Sequence, residues 1–342
     1  MPDSSYHPFF DRIASRLPRY GVGKLLSAAI PGVAFLALHL WYVGERALHD
    51  WSWLLGLIIS ASLLSLFYAT HTFRAALREI RLRTSEADFA VFVERANRVI
   101  GDRRLVLSGT LFGLTNCLFG LAFGLPDYGS SAGHVSLLVG YFLAGLFCGM
   151  AAYGICGVSL VMNELSGSIG QSLDFTDPDR CGGTGFVGAM LVVFSAVTLI
   201  VGVMISVYIL KAPWSAGDSW WVLLLKGFWI AFPYLMSLTA LVVPAMGVHE
   251  VLVDYKTRHE ARLRGGFMKG EVADGAATLT TDSANPEVLD QWREMRAELH
   301  RMRTWPYDLN AHLKYLFVLI PNVLVSFETA SAWLSKLAGM AT

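Results

Sequence analysis

The chain has 342 residues, of which 54% are hydrophobic and only 16% charged, with a mean hydropathy of +0.48; soluble domains carry about 25% charged residues. Such an excess of apolar side chains excludes an ordinary water-soluble fold and points to an all-α polytopic membrane protein. Lys and Arg together number 27 and so do Asp and Glu, so no overall field favours nucleic acid or anionic lipid, and any electrostatic function must come from local clusters.

Residues 1–23 form a basic N-terminal segment with Arg12, Arg16 and Arg19. They lack a leading apolar core, so no cleavable signal is expected. The region 24–246 is then expected to hold about six transmembrane helices, each supplying the roughly 20 apolar residues that a bilayer core about 30 Å thick requires. These are Lys24–Val43, Trp51–Phe73, Leu105–Leu125, Val135–Met162, Phe186–Leu210 and Trp220–Met246. Trp41, Tyr42, Trp51, Trp214, Trp220 and Trp221 fall at their edges, as an interfacial belt does.

The connections alternate in basic content. Gly44–Asp50 has only Arg46, and PDYGSSAGH after the third span has no Lys or Arg. The link 74–104 carries Arg74, Arg78, Arg81, Arg83, Arg95, Arg98, Arg103 and Arg104. By the positive-inside rule both termini, the link 74–104, the loop 163–185 and the region 247–342 are expected in the cytoplasm. Leu77, Ile80 and Leu82, then Phe89, Val91, Phe92 and Val93, predict a helical hairpin in the link.

The C-terminal region begins as a helix through Val248, Val251, Leu252 and Tyr255, expected to break at Gly265-Gly266. ADGAATLTTDSANP reads as a loop, followed by a helix from Pro286 with Asn285 as N-cap, ending before Trp305-Pro306. Tyr315–Phe327, about 13 residues with Pro321, is short for a span and is expected as a buried or membrane-surface helix; a seventh span would place the C-terminus outside.

Glycines recur at helical spacing: Gly109 and Gly113, Gly120 and Gly124, and on the fourth span Gly140, Gly145 and Gly149. This pattern predicts close helix packing within or between subunits, with a small-residue pore lining as the alternative. Asn116 is the notable polar residue of the third span, and Lys226 is the one charge well inside a span. Coupled carriers place Asp, Glu or His at mid-depth, and these spans lack them; a passive pore needs none.

Catalytic patterns are missing. His249-Glu250 and His259-Glu260 lack the second histidine of a zinc site, and no nucleophile elbow occurs. No enzyme activity, metal or cofactor is expected. Cys117, Cys148, Cys156 and Cys181 show no CxxC spacing and are expected as small buried hydrophobes.

Two clusters are candidates for ligand binding. Arg78, Arg81 and Arg83, with Arg262 and Arg264 from the C-terminal region, offer a phosphate-binding surface; the competing reading is anchoring to lipid headgroups. The string DFTDPDRCGGTGF reads as a turn entering a helix: Asp177-Pro178 starts it, Asp179 accepts backbone N–H groups, Gly182-Gly183 permit close approach, and Arg180 is placed to pair with Asp177 or Asp179. It serves either as a connector or as a gating loop in which Arg180 holds an anion.

The stretch FTDPDRCGGTGFVG, Phe175 to Gly188, resembles a loop of bacterial multi-pass membrane proteins that often read His-Pro-Asp-Arg/Lys-x-Gly-Gly before a transmembrane helix. Here Thr176-Asp177 stands before Pro178 where those proteins often have His. Proteins of this look include antiphage membrane effectors of the Hailong type. The resemblance implies a homo-oligomeric ion channel controlled by a nucleotide or oligonucleotide made by a partner nucleotidyltransferase. A small-solute transporter and a membrane-anchored sensor or scaffold are the alternatives.

Overall fold

A computed structural model describes residues 23–169, 173–212, 219–269, 286–307 and 331, with side chains described outside 164–169, 263–269, 286–289 and 291–292. The expectations for the N-terminal segment, Trp214, the cap Asn285 and the run 315–327 therefore lie outside the described residues, as does the side chain of Arg264.

The helices are α1 (Gly23–Val43), α2 (Arg46–His49), α3 (Trp53–Arg83), α4 (Glu86–Val99), α5 (Asp102–Phe123), α6 (Ser131–Ile169), α7 (Gly185–Lys211), α8 (Trp220–Lys269) and α9 (Pro286–Arg301). Six of them, α1, α3, α5, α6, α7 and α8, contain stretches long and apolar enough to cross a membrane. The protein is an all-α polytopic helical membrane protein, and its spans run alternately up and down between two ends. We call the end carrying Arg83, α4 and α9 the basic end.

Hydrogen bonding dictates this architecture. A backbone in hydrocarbon must satisfy its own polar groups, and a helix does so within one segment. What then brings helices together is small residues and a few polar contacts. Along α5 and α6, the most extensively packed pair, Gly113 faces Gly145 so closely that a Cβ on Gly145 would lie 2.7 Å from the Gly113 Cα. Gly149 abuts Phe112, and Gly140 receives the ring of Phe35 from α1. Asn116 Nδ2 donates to the Tyr141 carbonyl at 2.7 Å across the same pair. All four positions with a packing-or-pore expectation thus sit in helix contacts within the chain. Between α7 and α8, Ser195 and Ser237 bond reciprocally to each other's carbonyls, at 2.9 and 3.0 Å.

Two helices run further than their apolar patterns predict. α6 continues to Ile169, into the expected loop 163–185. α8 continues unbroken from Trp220 through Gly265-Gly266 to Lys269, although each glycine costs a helix about 1 kcal/mol relative to alanine. The expected break is therefore absent. The hairpin in the link 74–104 is helical: Thr84-Ser85 separates α3 from α4, and the Ser85 hydroxyl accepts from the Asp88 amide at 3.1 Å as an N-cap. Phe89 and Phe92 are buried in a core at the basic end that also takes in Phe73 and Ile80 of α3, Met162 of α6, Phe194 of α7, Leu252 of α8 and Leu299 of α9.

Candidate functional site

The basic end is built around the loop 173–185. Its first carboxylate, Asp174, accepts from the amide and hydroxyl of Thr176 at 2.9 and 2.7 Å. These bonds, the hydroxyl's first, hold the Asp174 carboxyl below its ordinary value. Asp179 accepts three backbone amides: Cys181 at 2.7 Å and Gly183 at 3.0 Å on Oδ1, and Gly185 at 2.8 Å on Oδ2. The last amide belongs to the first residue of α7, so the carboxylate sits at a helix start, where unpaired N–H groups favour negative charge.

The local ion pair expected for Arg180 does not form with Asp177. Instead Asp177 Oδ2 accepts from Arg83 Nη1 at 3.1 Å, with both side chains mostly covered, while Asp177 Oδ1 accepts the Asp179 amide. Ninety-four residues separate the two partners in sequence. Gly183, at φ +84°, allows this contact, since a Cβ there would collide with the guanidinium. The Nε of Arg83 is buried and has no hydrogen-bond partner among the described residues.

Arg180 itself points to solvent, with its backbone in the left-handed region at φ +55°. Its carbonyl accepts from the Arg303 amide at 2.7 Å. That bond begins a strap, residues 302–307, that closes the end of the bundle. Met302 packs beside Gly182, the Cys181 thiol donates to the Trp305 carbonyl at 3.4 Å, and the Pro306 carbonyl presses on Gly188 of α7. From α8, His249 stacks on Trp305 with ring centroids 4.3 Å apart and bonds the Thr304 carbonyl at 2.8 Å. Lys256 Nζ donates to the carbonyls of His300 and Met302 at 3.2 and 3.0 Å, a cation at the end of α9 where the helix dipole favours one. Tyr307 donates to the Leu241 carbonyl.

The remaining candidates spread over this end. Arg81 leaves the cluster: it pairs with Glu86 at 3.2 Å and lies over the ring of Phe89. Arg78 and Arg262 are exposed. Arg262 and Asp174 both act electrostatically on Tyr255, so Arg262 belongs to the same neighbourhood as the loop. The structure therefore brings together Arg83, Asp177 and Arg180 directly and Arg262 at their margin, whereas Arg81 turns to α4.

Sequence reasoning missed His249, Lys256 and the strap. The His249-Glu250 pair drew notice only as a failed zinc motif, and the helix stop at Trp305-Pro306 was the one signal that something follows α9. Among the described residues no group of three His, Cys, Asp or Glu is placed to hold a metal.

No protein-family model, curated protein or solved structure matches this chain.

Proposed function

We propose that the protein is a homo-oligomeric ion channel of the bacterial inner membrane, opened or closed from its cytoplasmic, basic end by an anionic nucleotide or oligonucleotide. The observation that carries this reading is the clasp between Arg83 and Asp177, with the Arg83 Nε left over. A guanidinium holds phosphate through two parallel N–H bonds, which is stronger than one bond to a carboxylate. A phosphate arriving at the exposed Arg180 and Arg262 and taking Arg83 from Asp177 would detach the loop 173–185 from α3. That loop leads directly into α7 and is bonded to the strap that holds α8, so its release reaches two spans at once.

The absence of mid-depth acids in the spans favours conduction over ion-coupled transport. Because the glycine pairs are used inside the protomer, the seam between protomers is assigned to α5. Its exposed Leu107, Leu111, Leu114, Leu118 and Leu121 repeat at four- and three-residue spacing, the pattern of helices that pack side by side. Following the loop resemblance, the ligand would come from a partner nucleotidyltransferase in antiphage defence.

The test is current across a planar bilayer containing the purified protein. Short oligonucleotides on the basic side should produce discrete conductance steps. Asp177→Asn should give steps at lower ligand concentration or without ligand, and Arg83→Met should not respond. Silence of a well-folded sample under every ligand would end this reading.

A transporter is the second reading, favoured by two hollows at mid-depth between α3, α5, α6, α7 and α8. Uptake of a solute into proteoliposomes without unitary current would establish it.

A further inference from the structure

Two hollows lie within the helix bundle, and Phe112, Cys148, Ile205 and Trp229 belong to the walls of both. Among the described residues no charged one lines either. Trp229 stands where they meet. Its ring is packed edge-on against Phe112 and Phe119, with centroids 5.2 and 5.5 Å away. It is 6% exposed, and its indole Nε1, fully buried, has no hydrogen-bond partner among the described residues.

The depth of this donor matters. Trp229 is nine residues into α8, about 13 Å along the helix at ~1.5 Å per residue, close to the middle of a hydrocarbon core about 30 Å thick. An unpaired N–H at that depth carries a desolvation cost that nothing offsets, and hydrocarbon holds no bulk water to restore it. A trapped water needs two to four polar partners. The hydroxyls of Ser62 and Thr198 on these walls bond Cys148 at 3.1 Å and the Phe194 carbonyl at 2.8 Å, and no described polar atom lies within hydrogen-bond distance of the indole. The ester carbonyls of bilayer lipids belong to the interface, not the midplane.

We infer that the paired hollows around Trp229 bind a neutral, bilayer-soluble molecule that presents a carbonyl oxygen to the indole N–H. The largely apolar walls take its hydrocarbon body, the lack of charged residues in the described lining selects against ionised ligands, and the unpartnered indole donor fixes its orientation. This site is independent of the clasp at the basic end and of the channel reading.

The probes are a decyl-substituted benzoquinone and decylbenzene, which matches its shape without carbonyls, added to the full-length protein in nanodiscs of ether-linked lipid. Such lipids carry no ester carbonyl. The quinone should bind saturably, and Trp229→Phe should weaken it roughly five- to tenfold, the loss of one buried hydrogen bond. Decylbenzene should bind more weakly than the quinone and be indifferent to the substitution. A second measurement on the unaltered protein guards against a misfolded variant. The infrared carbonyl stretch of isotope-labelled quinone should move to lower frequency on binding, and the nitrogen-15-labelled indole N–H resonance of Trp229 should move downfield. Equal binding of both probes to both proteins would overturn the proposal. So would an indole resonance already hydrogen-bonded in ether-lipid nanodiscs without probe and unmoved by the quinone, because a water would then hold the site. A resonance hydrogen-bonded before any probe only in ester-linked lipid would assign the site to bilayer lipid and would equally overturn it.

Discussion

The two ends of the bundle are both held by polar contacts, but they are built on opposite principles. At the end away from Arg83, the polar groups are buried and satisfied by one another. His39, fully covered, bonds Ser136 at 2.7 Å and Ser52 at 2.8 Å. One of those serines accepts the ring N–H and donates to a backbone carbonyl, of Gly133 for Ser136 or Ala47 for Ser52, while the other donates to the second ring nitrogen. Asp50, 7% exposed, accepts from the Ser52 amide and from Tyr128. Burial first, and the bond to Asp50 next, hold the Tyr128 phenol well above its ordinary range. A network in which every member is satisfied rigidifies what it joins, here the caps of α1, α3 and α6.

The basic end instead combines backbone bonds with cations that face water. Arg78, Arg180 and Arg262 are exposed, and the Arg83–Asp177 pair is only partly covered. Its ion pair can be exchanged for another anion, whereas the bonds at the opposite end offer an incoming ligand nothing.

The largest effect that could break this contrast is at Asp50. Asp50→Ala strands the Tyr128 hydroxyl and the Ser52 amide without their acceptor and should cost about 2–3 kcal/mol, read as a lowered unfolding temperature in detergent. A loss as small as that of an exposed ion pair would show that the buried network is not a lock. Gly183→Val comes next. It combines a strained left-handed backbone with a clash against Arg83 and should cost about 2 kcal/mol, while also altering the response to any anionic ligand; unaltered stability would mean that Arg83 does not sit against this loop.

Arg180→Gly sharpens the contrast because stability and binding should separate. Glycine relieves the left-handed backbone at φ +55°, so stability should hold or rise by about 0.5–1 kcal/mol, whereas affinity for an oligonucleotide should fall. A parallel fall in both would make Arg180 a structural residue. The smallest effect is acidic. Because the folded Asp174 carboxyl lies below its ordinary value of 3.8, its contribution is present above that value and is lost as pH falls through the folded one. Thr176→Val, which removes the leading bond, should slightly lower stability at neutral pH, where the contribution is fully present, and flatten its fall below about pH 4.

Much of the basic end was legible one residue at a time. Asp179 as a receiver of amides, Gly182-Gly183 as the site of close approach, and Phe89 and Phe92 as core all follow from side-chain chemistry and helical period. The partner of Asp177 was not legible. Arg180, three positions away, was the local choice, yet Arg83 is the partner because α3 and the start of α7 end at the same height. The glycine pairs had an open meaning for a similar reason: GxxxG spacing specifies a close approach but not which helix approaches.

The sequence by itself determined the class of this protein, the number of its long apolar helices and where most of them begin, because hydrocarbon demands some 20 apolar residues per span and a self-satisfied backbone. Only the tertiary structure decided the rest. It set the continuation of α8 past Gly265-Gly266, the strap over Gly188, the Arg83–Asp177 clasp and the unpartnered indole of Trp229. Each of these depends on which surfaces meet across long separations in the chain, and local pattern carries no record of that.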